Sequence, residues 1–243
     1  MIKYLFIVPY RDRQQHKTHF LKYMEYILED YDTTSYEILI VHQKDNRPFN
    51  RGAIKNIGFL YAKEKYPYYK DINFIFNDID TIPSEKNTLD YNTTKGIIKH
   101  YYGFDFCLGG IFSVKGEDFE KMNGFPCYWT WGFEDNVIAY RAEEKNIKID
   151  RSNYYPFGDM HIIQSVDGLK RIKHNKTPTI SLLKQETNGI NNIKNYLYKF
   201  NYETNMLDVE NYDCDMEIPK KVVQIDITNY KNVQKKRPTM LFL

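Results

Sequence analysis

Over its first eighty residues the chain switches repeatedly between two hydrophobic periods, and this switching restricts the fold more than any other feature. Residues 3–8 form a continuous apolar run suited to a buried strand, whereas Phe20, Leu21, Met24, Ile27 and Leu28 fall on one helical face. Residues 37–41 are a second buried-strand candidate. Ala53, Ile54, Ile57 and Leu60 or Tyr61 make a second amphipathic helix, and residues 72–76 a third strand. Strands alternating with helices predict an α/β protein with a parallel sheet and helices on its faces. In such sheets ligands sit beyond the carboxyl ends of the strands. Those ends carry Pro9-Tyr10-Arg11-Asp12-Arg13, His42 onward, and Asn77-Asp78-Ile79-Asp80.

The second half is less regular. Residues 109–114 read as a strand entered through Gly109 and Gly110, 116–122 as a short helix, 124–126 as a turn, and a helix opens near Glu134. Beyond Asp159 the periodicity is weak until residues 190–200. The 243 residues are enough for one full-sized core and show no composition break, which predicts a single domain over 1–243. Charge excludes one class of partner: 34 Lys+Arg against 32 Asp+Glu leave no broad basic field for nucleic acid. Residues 3–8 are too short for a signal segment and no stretch approaches a membrane span. Cys107, Cys127 and Cys214 lack metal-type spacing and read as free thiols of a reducing compartment. The expectation is a cytoplasmic protein in which the Asn-x-Thr sites at Asn92 and Asn175 are unused.

Three clusters carry chemistry. Asp-x-Asp occurs at Asp30/Asp32, Asp78/Asp80 and Asp213/Asp215, but only Asp78/Asp80 follows a buried strand that would deliver both carboxylates to the rim of the sheet. There they suit a hard divalent cation that neutralises a diphosphate, or simply a strand-end turn. Arg11 and Arg13 are spaced to point to one side, toward phosphate or uracil oxygens, or to pair with Asp12 or Glu25. In Trp129-Thr130-Trp131-Gly132-Phe133-Glu134-Asp135-Asn136, aromatic faces beside carboxylates suit a sugar whose hydroxyl loses a proton. Glu134 and Asp135 would also favour the start of a helix, and a helix N-terminus lowers a carboxylate pKa, which weakens it as a base.

These segments, with Phe49-Asn50-Arg51-Gly52, Asn56-Ile57-Gly58-Phe59, Gly109-Gly110 and Asn123-Gly124-Phe125-Pro126, occur in the order seen in the β-1,4-galactosyltransferase family, glycosyltransferase family 7, which the chain resembles over nearly its whole length. Weaker matches continue through Gly189-Ile190-Asn191-Asn192 and Gln224-Ile225-Asp226-Ile227. The resemblance implies a GT-A fold, with a Rossmann-like nucleotide-binding half over 1–80 and a mixed-sheet acceptor half over 81–243. It implies inverting transfer of galactose or N-acetylgalactosamine from a UDP-α-sugar to an oligosaccharide, glycoprotein or glycolipid acceptor, with Mn2+. By position, Pro9, Tyr10, Arg11, Arg13, Phe49 and Arg51 match nucleotide-gripping segments. Asp78, Ile79, Gly110 and Cys107 match donor-binding positions, and Asp80 the metal ligand. Trp131 and Gly132 match a mobile loop over donor and acceptor. Asp135 matches the general base, with Glu134 its acceptor-binding neighbour.

Departures from the family pattern stand out. Thr130, Phe133 and Asn136 replace Gly, Gly and Asp, and Phe133 would narrow the acceptor site or stiffen the loop. In Asp159-Met160-His161, closest to a His-x-His form of xylose-specific members, His161 is assigned as a metal ligand and Asp159 is left open as another. Cys107 stands where galactose-specific members carry Tyr, which predicts room for an N-acetyl group. The animal members' Golgi anchor and stem have no counterpart, in keeping with a cytosolic or viral version. A chondroitin-synthase-like or xylose-specific transferase, and a degenerate carbohydrate-binding module, are the alternatives.

Overall fold

The computed structural model describes residues 1–165, 170–174, 179–220 and 222–226; Asn175 and Ile227 lie outside the described residues. The first eighty residues fold as their two periods dictate, into β1 (Tyr4–Tyr10), α1 (Gln14–Ile27), β2 (Tyr36–Gln43), α2 (Arg51–Lys65) and β3 (Asn73–Asn77). β1 runs parallel to both β2 and β3, Ile7 lying opposite Leu39 and Phe76. Alternate side chains of these strands feed two cores on opposite faces. Phe6, Val8, Ile40 and Ile75 meet Phe20, Met24 and Ile27 of α1, whereas Leu5, Ile7, Leu39, Val41, Phe74 and Phe76 meet Ala53, Ile54 and Ile57 of α2. Gly58 lets α2 lie close to the sheet, since a Cβ there would sit 2.8 Å from Val41 Cγ2.

The chain continues through β4 (Thr81–Pro83), β5 (Ile97–Gly103), β6 (Ile111–Lys115), α3 (Gly116–Lys121), α4 (Glu134–Glu144), β7 (Lys148–Asp150), β8 (Tyr155–Pro156), β9 (Ile162–Gln164), β10 (Lys170–His174), α5 (Ile180–Lys184), β11 (Lys194–Asn201), β12 (Met206–Asp213) and β13 (Val222–Asp226). Nine strands form one sheet in the order β11-β12-β2-β1-β3-β6-β5-β7, with β8 beside β5. The sheet is mixed: β6 is antiparallel to β3 and β5, and β11 is antiparallel to β12. β4 pairs with β9 and β10 with β13 in two small ladders.

Two features depart from the sequence reading. The strand expected from residue 109 starts only at Ile111, because Gly110 turns the chain at φ +69°, where a Cβ would stand 2.4 Å from Tyr102 O. The second is β12, a strand that periodicity did not reveal, which inserts parallel to β2 with Met206 opposite Ile40. Among the described residues no helix is long and apolar enough to cross a membrane.

Candidate active site

The carboxyl ends of β1 and β3 and the start of α2 open onto one cleft of about 500 Å³. Pro9, Arg11 and Arg13 line it from the first strand, Phe49 and Arg51 from the entry to α2, Asp78, Ile79 and Asp80 from the third, and Trp131 from the loop before α4. Residues predicted from four distant segments thus share one surface. Tyr10, Cys107, Gly110, Gly132, Phe133, Glu134, Asp135, Asp159 and His161 are not part of that lining. Tyr10 points into the core, its ring 5.2 Å from that of His42.

Local chemistry holds each wall. Asn50 caps α2 by accepting from the Ala53 N–H at 2.9 Å and donates to Cys127 O, while its own N–H donates to Gln43 Oε1 at 2.8 Å. The cap sets Arg51 in the first turn of α2, at the centre of a charge cluster. Its Nη2 donates to both Asp78 oxygens at 2.6 and 2.8 Å, its Nη1 donates to Glu134 Oε1 at 2.6 Å, and Asp135 Oδ2 lies 3.8 Å away. Burial alone would depress Arg51, but Asp78, Glu134 and Asp135 outweigh it and hold the guanidinium charged well above its ordinary range. Arg13 donates to Asp80 Oδ2 at 2.9 Å, and Arg11 reaches Arg47 O and lies 3.5 Å from Asp12.

The two aspartates of the motif are driven apart. Burial would raise Asp78, yet Arg51 and then Lys55 bring it below its usual value. Asp80 is raised, first by burial and then by the charge of Asp78, with Arg13 offsetting only part. Asp80 therefore presents a buried carboxylate, paired with Arg13, to the cleft.

Glu134 and Asp135 open α4, preceded by Phe133 in the left-handed region at φ 70° and Gly132 at φ 120°. A phenylalanine in that conformation is strained, and this is the position at which the family pattern has glycine. Glu134 is 2% exposed, and its second oxygen accepts the Gly132 N–H at 3.0 Å, so both oxygens are engaged within the protein. Asp135 packs against Gly109, where a Cβ would stand 2.9 Å from Oδ2, and its carbonyl accepts the Leu108 N–H. The expectation that the helix start would lower its pKa is overturned. Burial, against the pull of Lys55 and Arg51 and with Glu134 and Asp78 pushing the same way, raises Asp135 to about 6, a value suited to accepting a proton near neutral pH.

Other sequence-derived assignments are redrawn. Both tryptophans line the cleft, but Trp129 is 4% exposed, stacked on Tyr212 at 5.4 Å with its Nε1 donating to Met216 O, whereas Trp131 is 41% exposed. Arg47 lies over Trp129 and Tyr212 at 4.6 and 4.4 Å and braces the cleft wall; its place in a loop gave no periodic signal. Lys55 was also missed. It is 2% exposed, with Nζ 3.7 Å from Asp78 Oδ1 and 3.6 Å from Asp135 Oδ1. The available sign was a lysine one turn beyond Arg51 on an otherwise apolar helix face.

Asp80 and the Asp159/His161 pair lie at opposite ends of the β4–β9 ladder. His161 is hydrogen-bonded to Asp159 Oδ1 at 2.7 Å and stacked on Tyr155. The β4–β9 ladder explains the separation, because Asp80 O pairs with the Ser165 N–H while His161 O pairs with the Ser84 N–H at the opposite end. Among the described residues no group of three His, Cys, Asp or Glu is placed to hold a metal. Asp80 fits a hard cation that takes further ligands from a diphosphate and water, and the carboxylate of Asp159 and imidazole of His161 are groups such a cation accepts, held here on each other.

A nucleotide-type parallel half, an antiparallel half and a carboxylate cleft between them define the GT-A glycosyltransferase fold. Residues 1–93 match the N-terminal region of glycosyl transferase group 7, and residues 96–176 match the domain described as the N-terminal domain of galactosyltransferase. The chain belongs to glycosyltransferase family 7. It is 34% identical over 160 residues to mouse (Mus musculus) β-1,4-galactosyltransferase 1, covering 62% of this chain and 39% of the relative. It is 30% identical over 158 residues to Drosophila melanogaster β-1,4-galactosyltransferase 7, covering 61% and 47%. These matches span less than half the length of either relative. A solved structure of a Drosophila β-1,4-galactosyltransferase 7 mutant, in complex with manganese, UDP-Gal and xylobiose, superposes with a TM-score of 0.70 at 21% identity, covering 90% of this chain and 96% of that one.

Proposed function

We propose that this chain transfers galactose or N-acetylgalactosamine from a UDP-α-sugar to a sugar hydroxyl with inversion, using a divalent cation of the Mn2+ type. The observation that carries the reading is the joining of Asp78, read as donor-side, and Glu134 and Asp135, read as acceptor-side, through the single side chain of Arg51, which with Asp78 and Asp80 lines the cleft. Arg11 and Arg13 lie where a diphosphate enters, and Phe49 offers an aromatic face to a base. Asp80 would hold the cation, which when bound neutralises charge on the departing diphosphate. Trp131 is exposed and a Cβ at Gly132 would meet nothing within 4 Å, so this loop has room to close over the cleft, with Glu134 holding the Gly132 N–H in the arrangement seen here. Asp135 takes the acceptor proton as the hydroxyl attacks the anomeric carbon opposite the diphosphate. Inversion follows from that single in-line step.

A donor-by-acceptor screen reading UDP release tests the function. UDP-galactose and UDP-GalNAc are offered against a panel including xylobiose, with Mn2+ and then with chelator. Acceptor-dependent UDP release that chelator abolishes and Mn2+ restores is expected, and Asp80→Ala should lose it while remaining folded. Full activity in chelator would remove the cation from the reading, and UDP-sugar binding with no UDP release would leave a binding module.

The donor reading rests on Cys107, buried one residue before Leu108, whose N–H bonds Asp135 O. Phe104 and Phe106 could refill the space that a tyrosine would occupy, but they stack on each other at 5.3 Å, Phe104 stacks on Phe157, and both are close to half exposed. UDP-GalNAc should therefore be used as well as, or better than, UDP-galactose. Cys107→Tyr should shift kcat/KM toward galactose by about ten to a few hundredfold, the most that steric fit of one small group supplies. A wild type that rejects UDP-GalNAc, together with a variant that changes nothing, would show that Cys107 is not the gate.

A further inference from the structure

Asp135 holds one polar atom that the rest of the cluster leaves without a hydrogen bond. Its Oδ1 is buried and has no hydrogen-bond donor among the described residues. The nearest cation to that atom is Lys55 Nζ at 3.6 Å, and the same ammonium stands 3.7 Å from Asp78 Oδ1 and 4.4 Å from the Phe125 ring. A lysine almost never goes fully into a protein interior unless paired, and Lys55, at 2% exposure, does so between a donor-side and an acceptor-side carboxylate.

We infer that Lys55 is a positioning residue for the transfer reaction, its buried ammonium holding Asp135 in the ionised, proton-accepting form and tying it to Asp78 across the base of the cleft. The inference rests on the reading of Asp135 as the base. The charges facing Asp135 are few. Arg51 and Lys55 come from α2, Asp78 from the segment after β3, and Glu134 from its own helix, while Cys107, whose thiol burial pushes far up, is neutral there. Two cations thus serve three carboxylates. Arg51 is already committed to Asp78 and Glu134 by three short hydrogen bonds, so Lys55 is the cation left for Asp135. Removing it leaves Asp135 with only the guanidinium that Asp78 and Glu134 already occupy, whereas Asp78 keeps its two hydrogen bonds from Arg51, so Asp135 is the carboxylate that binds a proton more readily.

The experiment is the pH dependence of kcat/KM for UDP-galactose, read as UDP release with Mn2+ and the acceptor that the screen selects, in wild type, Lys55→Met, Lys55→Gln, Lys55→Arg and Asp135→Asn. Lys55→Met and Lys55→Gln should move the acid limb up by about 1–3 pH units, as loss of an adjacent opposite charge does. They should therefore be weak at pH 7 and recover in alkali, with KM for the donor little changed. Lys55→Arg should keep the limb near its wild-type position. A role in packing alone lowers activity at every pH, so an unmoved limb in Met and Gln variants that still bind UDP-galactose overturns the inference. Failure of both variants to fold and bind the donor would make Lys55 a folding element and overturn it as well. Retained turnover in Asp135→Asn would instead defeat the base reading itself, which distinguishes the two failures.

Discussion

Asp135→Asn is expected to bind UDP and Mn2+ close to wild type and to lose about a hundredfold or more in turnover, the usual scale for removing a general base. The substitution is nearly isosteric and its surroundings tolerate it. The Asp135 backbone carbonyl keeps the Leu108 N–H and Gly109 still leaves room for the side chain, the contacts given up being the charge pairings with Lys55 and Arg51. What disappears is the proton acceptor. Only the carboxylate form can accept, and because burial raises Asp135 to about 6, wild-type kcat/KM should fall about tenfold per unit as pH drops below that value. The residual rate of the variant should lack that limb. Stopped-flow or coupled measurement of UDP release across pH 5–8 reads both effects. Unchanged turnover would hand the role to Glu134 or to no protein base.

Arg51→Met should be the most destabilising single change in the cleft, costing about 3–5 kcal/mol, the range for breaking a buried ion pair by removing one partner. One guanidinium satisfies Asp78 through both oxygens and Glu134 through one, and Glu134 in turn holds the Gly132 N–H. The loss should appear as a lower urea midpoint together with a disordered tryptophan loop. Arg51→Lys should recover only part, since an ammonium cannot present the two-pronged face. The pH dependence has a definite sign. Asp78 is held below its ordinary value, so its pairing stabilises the fold above the unfolded pKa of about 4 and fades as pH falls through the folded one. The gap between wild type and Arg51→Met should therefore narrow in acid. Equal midpoints at neutral pH would mean that water, not Arg51, balances these carboxylates.

The parts of the fold written in uninterrupted periods were readable from the sequence. β1, β2 and β3 are fully apolar where both faces are covered, and α1 and α2 keep one apolar face each, so the placement of Asp78 and Asp80 at a strand end followed directly. β12 was hidden because it carries Asp208, Glu210 and Asp213. Asp208 is tolerated in a buried position with the help of His42 and Lys44, partners more than 160 residues away. Lys55 was illegible for the same reason. Spacing shows that it shares a helix with Arg51, but not that two carboxylates await it inside. His161 was singled out only through a three-residue resemblance, and ladder register places it at the end of β4 opposite to Asp80. Trp129 and Trp131 stand two apart in one motif, and only packing against Tyr212 tells the structural ring from the exposed one.

The late return of β12 to the side of β2 also has a bearing on how the molecule is made. Met206 to Val209 pair with Ile40 to Gln43, and Tyr212, just beyond, supports Arg47 in the cleft wall. A nascent chain that has emerged only as far as β9 carries both halves of the charge cluster but leaves one edge of β2 with bare amide and carbonyl groups. Such an edge is a template for pairing with other chains, and contacts this distant in sequence form slowly. Synthesis thus passes through a stage in which the carboxylates of the charge cluster exist without a finished cleft wall, and the late strands act as the keystone that both completes the cleft and hides the edge from neighbouring copies.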